Sequence, residues 1–289
     1  MLKPLTTEVF NSAYKPIPHG GLTGWDPNRQ ATWPASTATL IHGNSQSILV
    51  DALLTRSEGE QLAGWVGHAS DVPVSLIYVT HGHADHFFGA GPLLQRFSDA
   101  RLVTRPEVVH EARQQLEPAT MAVWTSWFDG ELDAEPAVPA ALSSDHIDLD
   151  GHLLAILPIG GADGVTATVV HIPELDVVIS GDIAYNGIHM WLAGSTPRSR
   201  VDWVASIDRI EALQPKTVIA GHREPGAADD DAQRILDQSR QYVIDFGQAV
   251  SAADTPAEVV AAMMGSYADL GNPYTLYVAA ASQFPPPHQ

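Results

Sequence analysis

Short runs of apolar residues, separated by polar and turn-forming residues, recur through most of the chain. The runs at residues 38–42 and 47–51 are separated by Gly-Asn-Ser-Gln, which is typical of a β-hairpin. Residues 74–80, VSLIYVT, form a nearly continuous apolar run and predict a strand buried on both faces. Residues 167–182 predict a second hairpin that turns at residues 173–176. Further strands are predicted at residues 100–104, 152–159 and 217–222.

Apolar residues spaced three and four positions apart predict helices between and after these strands. Ser57 and Glu60 form a capping-box pattern ahead of the first helix, and Pro106 suits the first turn of a later one. Residues 116–150 show weak periodicity, which indicates an insertion or lid. Strands and helices therefore intermix in an α/β core. The helices are predicted at residues 61–66, 89–97, 106–116, 201–213, 231–250 and 255–270.

The composition narrows the classes of partner and cofactor. The formal net charge is −19 and only three residues are lysine, which argues against nucleic-acid binding and against an anionic membrane surface. The chain has no cysteine, so a metal ion must be bound by histidine and carboxylate side chains. We therefore expect a small-molecule substrate, and the sequence leaves a homodimer open.

The length of 289 residues and the hydrophobic fraction of 45% allow one large domain. We expect a single domain over residues 1–289, with its core at about 38–226 and a helical extension at about 228–289. The first residues lack the apolar run of a signal peptide, and no stretch approaches ~18 apolar residues. The resulting expectation is a cytoplasmic location.

Residues 80–89, THGHADHFFG, place four metal-binding side chains directly after the first buried strand. Alternate residues at a strand end point to the same side, so His81 and His83 can converge on one ion. Asp85 and His86 reach beyond that ion at the following turn. The spacing predicts one metal site or two adjacent sites.

The motif His-x-His-x-Asp-His resembles the signature of the metallo-β-lactamase superfamily. Three further segments occur in the order found in that family. They are the strand ending at Asp51 before the motif, and Ser-Gly-Asp at residues 180–182 and Ala-Gly-His at residues 220–222 after it. The resemblance extends over most of residues 38–226. It implies an α/β (α+β) fold, a four-layer αββα sandwich of two mixed β-sheets flanked by helices.

The resemblance also implies two divalent metal ions. Asp182 would bridge them, and Asp85, His86 and His222 would complete the second site, which leaves the first two histidines of the motif for the first site. His222 directly follows an apolar strand, a position where ligand sites are common. Zn²⁺ is the expected metal, with Mn²⁺ and Fe²⁺ as alternatives.

Two residues compete to be the third ligand of the first site, which the family normally supplies as a loop histidine before the second hairpin. His171 lies inside that hairpin, whose folding pairs Asp182 with a residue near position 167. His171 is four residues further along, roughly 13 Å at ~3.3 Å per residue, too far for ions only ~4 Å apart. Asp163 lies in the loop leading to the hairpin, nineteen positions before Asp182. We therefore assign Asp163, whose carboxylate favours Mn²⁺ or Fe²⁺ more than a histidine does.

Such a metal pair lowers the pKa of bound water and polarises a carbonyl group, so that metal-bound hydroxide can attack a small carbonyl substrate. The resemblance thus implies a metal-dependent hydrolase, with a lactone or ester as the leading substrate. Asp85 is predicted to orient the hydroxide or carry its proton. Tyr185, three residues after Asp182, either contacts the substrate carbonyl, as in lactone-hydrolysing relatives, or is a packed aromatic residue.

Other reactions are carried out on the implied fold. The alternatives are hydrolysis of a β-lactam, thioester or phosphoester, and an iron-dependent oxidoreductase. Substrate choice is expected to lie in weakly patterned loops, whose large side chains either line a pocket beside the metal ions or pack these loops against the core. These side chains are Trp124, Trp127, Phe128, Met190 and Trp191. His189 either lines the same cavity or is an ordinary loop histidine.

Overall fold

Two mixed β-sheets make up the centre of the molecule. The computed structural model describes residues 4–18, 21–161 and 166–284. Its strands, in chain order, are β1 (Thr6–Asn11), β2 (Lys15–Ile17), β3 (Ala31–Trp33), β4 (Thr37–His42), β5 (Ser47–Val50), β6 (Val74–Tyr78), β7 (Arg101–Thr104), β8 (Ala140–Ala141), β9 (His146–Leu149), β10 (His152–Gly161), β11 (Thr166–Ile172), β12 (Val177–Asn186) and β13 (Thr217–Arg223). The first sheet has the order β1-β4-β5-β6-β7-β8 and the second the order β13-β12-β11-β10-β9, while β2 and β3 pair separately. Both predicted hairpins form, and each large sheet contains parallel and antiparallel neighbours.

Helices cover the outer face of each sheet. They are α1 (Arg56–Ala69), α2 (Ala90–Arg96), α3 (Pro106–Gln114), α4 (Pro118–Trp127), α5 (Pro197–Glu211), α6 (Ala232–Ala252), α7 (Pro256–Ser266) and α8 (Pro273–Ser282). The first sheet contacts α1 through β1 and α2 through β7, and the second contacts α5 and α6 through β10, β12 and β13. Within the described residues, no helix combines the length and the apolar character needed to cross a membrane.

Three apolar clusters explain why the central strands are buried on both faces. In β5, Ile48 and Val50 lie between the two sheets, whereas Leu49 belongs to the cluster beneath the helices of the first sheet. In β12, Ile179 lies between the sheets and Val178 beneath the helices of the second sheet. This alternation has the period of two expected of strands in stacked layers. The four-layer αββα sandwich predicted from the sequence is therefore confirmed.

The first helix begins earlier than the sequence pattern indicates. Its capping box consists of Thr55 and Glu58 rather than Ser57 and Glu60. The Glu58 N–H donates to the Thr55 hydroxyl at 3.2 Å, and the Thr55 N–H donates to the Glu58 carboxylate at 3.0 Å. Both residue pairs fit the capping pattern. In the structure, the ammonium group of Lys15 pairs with Glu58 at 2.7 Å from a distant part of the chain and adds to the first of these pairs alone.

Residues 116–150 contain regular structure in spite of their weak periodicity. They include α4, whose apolar residues lie around most of its circumference, so that a helical period is hard to detect. They also include β8 and β9, which are edge strands of the first and second sheets. The predicted insertion is therefore one helix followed by two edge strands.

Candidate metal centre

The candidate metal centre lies where the two sheets meet. His81, Asp85 and His86 lie on the loop that follows β6 in the first sheet. Asp182 lies in β12 and His222 in β13, which are parallel neighbours in the second sheet. All five side chains are buried, with at most 3% of each residue exposed. The fold thus brings five of the seven predicted ligands together from both halves of the chain.

Asp182 is at the centre of this group. Its Oδ1 atom is 3.2 Å from His86 Nε2, and its Oδ2 atom is 3.2 Å from His222 Nε2 and 3.8 Å from His81 Nε2. Asp85 Oδ2 is 3.3 Å from His222 Nε2. These side chains form two sets of possible metal ligands. Within each set, the ligand atoms lie within 4.8 Å of one another. One set is His81, His86 and Asp182, and the other is Asp85, His86 and His222.

The unpaired atoms of the centre fit metal ions. In the described part of the chain, His81 Nε2, His86 Nε2 and Asp182 Oδ1 are buried and make no hydrogen bond of suitable geometry, although His86 Nε2 and Asp182 Oδ1 lie 3.2 Å apart. A buried polar atom without a partner costs free energy, and a cation among these atoms would remove that cost. Imidazole nitrogens and carboxylate oxygens are also ligands that Zn²⁺ and related divalent ions accept.

His83 lies at the edge of the centre. Its ring centroid is 5.0 Å from that of His81, and its half-buried side chain lines the adjoining cavity. Asp163, the predicted third ligand of the first site, lies outside the described residues. The full ligand set of the first site therefore stays a prediction from the sequence.

His171 lies away from the metal centre, as the predicted register of the second hairpin requires. It pairs with Val178, next to the pair of Val170 and Ile179. Further along β11, Ala167 forms an isolated antiparallel bridge with His81 of the metal centre. His171 is four positions from Ala167 and is only half-buried.

A pair of substitutions separates the two candidates for the third ligand. We expect Asp163→Ala to lower the metal content from two equivalents to about one, because the first site loses an anionic ligand. We expect His171→Ala to leave the metal content unchanged and to lower only the stability. Plasma mass spectrometry of the two purified variants measures this directly, and the reverse pattern would show that the assignment of Asp163 is wrong.

Asp51 holds two of the histidines without facing the ion-binding atoms. Its carboxylate lies 2.9 Å from His86 Nδ1 and accepts the Thr80 N–H at 2.8 Å. The Thr80 hydroxyl is in turn 3.1 Å from His81 Nδ1. A proton fixed on His86 Nδ1 leaves Nε2 free to bind metal. The sequence marks Asp51 as the end of a strand, but this supporting role is visible only in the structure.

Two aromatic side chains hold the carboxylates of the centre. The indole N–H of Trp33 donates to Asp85 Oδ2 at 3.1 Å, and the Tyr185 hydroxyl donates to Asp182 Oδ2 at 2.9 Å. Sequence reasoning missed Trp33, since its strand carries no metal-binding motif. The predicted contact of Tyr185 with a substrate carbonyl stays a prediction, and the bond to Asp182 gives Tyr185 a positioning role.

A match to a known family covers the whole centre. The sequence model of the metallo-beta-lactamase superfamily matches residues 31–222, about two thirds of the chain. The chain belongs to this superfamily. The matched range includes Trp33 and Asp51 as well as every ligand from His81 to His222. None of the curated proteins matches the chain.

Solved structures of the superfamily share the fold at low sequence identity. A metallo-beta-lactamase family protein from Thermus thermophilus is 18% identical with a TM-score of 0.61, over 95% of this chain and 91% of that one. A metallo-beta-lactamase from Pontibacter korlensis is 18% identical with a TM-score of 0.58, over 85% and 99%. FIM-1 from Pseudomonas aeruginosa, in its mono-zinc form, is 17% identical with a TM-score of 0.53, over 85% and 97%.

In this superfamily member, a cavity of about 460 Å³ adjoins the metal centre. Trp124, Trp127 and Trp191 line it, and they also pack in or against the apolar cluster beneath the helices of the first sheet. Phe128 and Met190 are buried in apolar clusters of the core and are not among the lining residues. In the described residues the lining includes neither Tyr185 nor His189. His189 is fully buried, and its Nδ1 lies 2.8 Å from the Tyr242 hydroxyl.

Without metal, opposite charges balance within the centre. Burial lowers the pKa of His222, but Asp182 and Asp85 outweigh this effect and raise it to about 9. Burial likewise disfavours the charged form of His86, whose pKa Asp182 and Asp51 nevertheless raise well above its usual range. Burial raises the pKa of Asp182, but the surrounding histidines hold it well below its usual range. The metal-free centre therefore contains ionised carboxylates beside protonated His86 and His222, whereas burial holds the pKa of His81 well below its usual range.

Metal binding must displace these protons, because a histidine binds metal in its neutral form. Between the ordinary pKa of His222, 6.5, and its raised value of about 9, we expect Zn²⁺ affinity to rise with pH, by about tenfold per pH unit for each proton displaced. The charged His222 stabilises the metal-free fold below pH 6.5, and this stabilisation is lost as pH approaches 9. Chelator competition and urea unfolding in chelator measure the two opposite trends, and a flat affinity profile would contradict the charge assignment.

Proposed function

We propose that this protein uses two divalent metal ions, Zn²⁺ foremost, to hydrolyse a small carbonyl substrate, most readily a lactone or ester. Membership of the metallo-beta-lactamase superfamily implies metal-dependent hydrolase chemistry. The observation that carries the proposal is that two sets of buried ligand atoms lie side by side around Asp182 and adjoin the cavity. His83, Asp85, Asp182 and His222 all lie in its wall. A substrate in the cavity would therefore touch the centre directly.

The side chains around the centre have distinct tasks in such a reaction. Two bound divalent ions would supply a lowered pKa for water and polarisation of the substrate carbonyl. Asp85 lies in the cavity wall, where its carboxylate can orient water and accept its proton. The Trp33 N–H fixes one oxygen of Asp85, and the Tyr185 hydroxyl fixes Asp182. These bonds hold both carboxylates in one orientation before the substrate arrives.

The first experiment is to measure the metal content of purified, unchelated protein and then its turnover. We expect about two equivalents of metal, and hydrolysis of aryl esters or lactones that stops in chelator and returns with Zn²⁺ or Mn²⁺. One equivalent of iron, with no hydrolysis by the zinc and manganese forms, would instead indicate an iron-dependent oxidoreductase. Turnover of phosphodiesters or β-lactams alone would show that the substrate class is wrong.

A further inference from the structure

One wall of the cavity is built from tryptophan. The ring of Trp33 lies at the middle of this wall, with centroid distances of 5.1 Å to Trp124, 5.5 Å to Trp127 and 5.0 Å to Trp191. We call these four residues the tryptophan wall. Trp124 and Trp127 belong to α4, which also contributes Val123, a side chain that is 49% exposed. The wall thus continues from the metal centre to the surface as an apolar face.

Away from the metal centre, the described lining of the cavity provides no positive side chain for an anionic substrate. Among the described residues that line it there is no lysine or arginine. Asp85 and Asp182 add negative charge, and the chain as a whole carries a net charge of −19. Bound metal ions would be the main positive charge, and the reacting carbonyl group would face them. A second charged group, such as a carboxylate or phosphate on the substrate, would be left without a partner.

We propose that the tryptophan wall selects neutral substrates with an aromatic or aliphatic side group, and that α4 is the specificity-determining element. The inference rests on the proposed function and names its substrate class. Indole rings bury a large apolar area and pack edge-on against other rings, so a phenyl or alkyl group gains contact with several of them. The charged groups and histidines of the cavity wall belong to the metal centre, and along α4 the polar lining is the neutral Gln115 and Thr120, so the side group points along α4 while the carbonyl faces the ions.

Trp33 links the two ends of the cavity. Its ring packs against three members of the wall, while its N–H donates to Asp85 Oδ2 at 3.1 Å. A substrate side group that packs against the wall would therefore contact Trp33, the residue that donates a hydrogen bond to Asp85. Trp127 contacts Trp33 and is only partly buried, which makes it the most suitable position for a test with little loss of packing.

The binding test uses metal-free protein above pH 9, where His222 in the cavity wall is neutral, and does not depend on turnover. Benzylacetone is a neutral ketone with a phenyl group, hydrocinnamate is its carboxylate counterpart of the same shape, and butanone lacks the ring. Quenching of tryptophan fluorescence, supported by calorimetry, measures binding of each compound. We expect benzylacetone to bind at least about tenfold more tightly than either of the others. Equal or tighter binding of hydrocinnamate would overturn the proposal.

Variants locate the binding surface. We expect Trp127→Ala to weaken benzylacetone binding about tenfold. Trp65→Ala is the matched control, because Trp65 is also partly buried but packs on Phe10 at 5.6 Å, away from the cavity lining. Unchanged binding by Trp127→Ala, or equal losses in both variants, would show that the wall is not the binding surface.

Turnover of a matched ester pair separates this inference from the proposed function. We expect kcat/KM for methyl hydrocinnamate to exceed that for methyl acetate, and Trp127→Ala to reduce the ratio. Hydrolysis of both esters at equal rates would overturn the inference and leave the proposed function intact. Selective binding of benzylacetone without hydrolysis of any ester or lactone would overturn the proposed function and leave the binding surface intact.

Discussion

Asp182→Asn is expected to lower kcat/KM by about a thousandfold or more, because the centre loses the stabilisation of several kcal/mol that its metal ions provide. Asp182 lies between the nitrogen atoms of His81, His86 and His222, at 3.8, 3.2 and 3.2 Å. Asparagine keeps the shape of the side chain but removes the negative charge and replaces one oxygen with an N–H₂ group. We therefore expect metal content to fall to one equivalent or less.

The control for Asp182→Asn is the same substitution at Asp71, an exposed carboxylate outside the metal centre. We expect Asp71→Asn to keep full activity and full metal content. Circular dichroism of both variants checks that a loss of activity does not reflect unfolding. Full turnover and two metal equivalents in Asp182→Asn would disprove the assignment of Asp182 as the shared ligand.

Asp51→Asn is expected to weaken metal binding by about 10- to 100-fold, although Asp51 does not face the ions. Asp51 accepts the Thr80 N–H with Oδ1, and its Oδ2 lies 2.9 Å from His86 Nδ1. With asparagine in the same orientation, the amide N–H₂ would face the Nδ1 proton, so two donors would meet. His86 would then move its proton to Nε2, the atom that must be free to bind the ion.

Asp176→Asn is the matched control for Asp51→Asn. Both aspartates have a left-handed backbone, with φ of 63° at Asp51 and 54° at Asp176, a conformation that asparagine also adopts readily. Asp176 pairs with Lys216 at the far end of the β11–β12 hairpin. We expect zinc titrations to give an unchanged affinity for Asp176→Asn. A similar loss in both variants would mean that the effect comes from the backbone and not from His86.

The local motifs predicted most of the fold and the ligands that the structure brings together. His81, Asp85 and His86 could be recognised because they lie within six residues after a buried strand. The position of His171 could be predicted because hairpin register follows from turn position and strand spacing. The first helix shows the limit, since two capping patterns overlap in the sequence, and only the folded chain buries Thr55 and Glu58 and brings Lys15, 43 residues away, to Glu58.

Residues that support the centre could not be identified in the same way. Trp33 contacts Asp85 across 52 residues, and Asp51 contacts His86 across 35. Neither contact has a sequence signal, because it depends on how separate strands meet in the folded chain. The tryptophan wall is a similar case, since its members come from β3, α4 and the segment after β12. Aromatic residues in a weakly periodic segment could be recognised, but not their common cavity.

The distribution of ligands over both sheets affects when metal binds during folding and how slowly the folded protein unfolds. His81 and His86 follow a strand of the first sheet, while Asp182 and His222 lie in the second, so an ion would act as a cross-link between them. Such a cross-link cannot form before the sheets have packed, which places metal uptake late in folding. It would then slow the separation of the sheets, so that resistance to proteases depends on the ion more than the folding rate does.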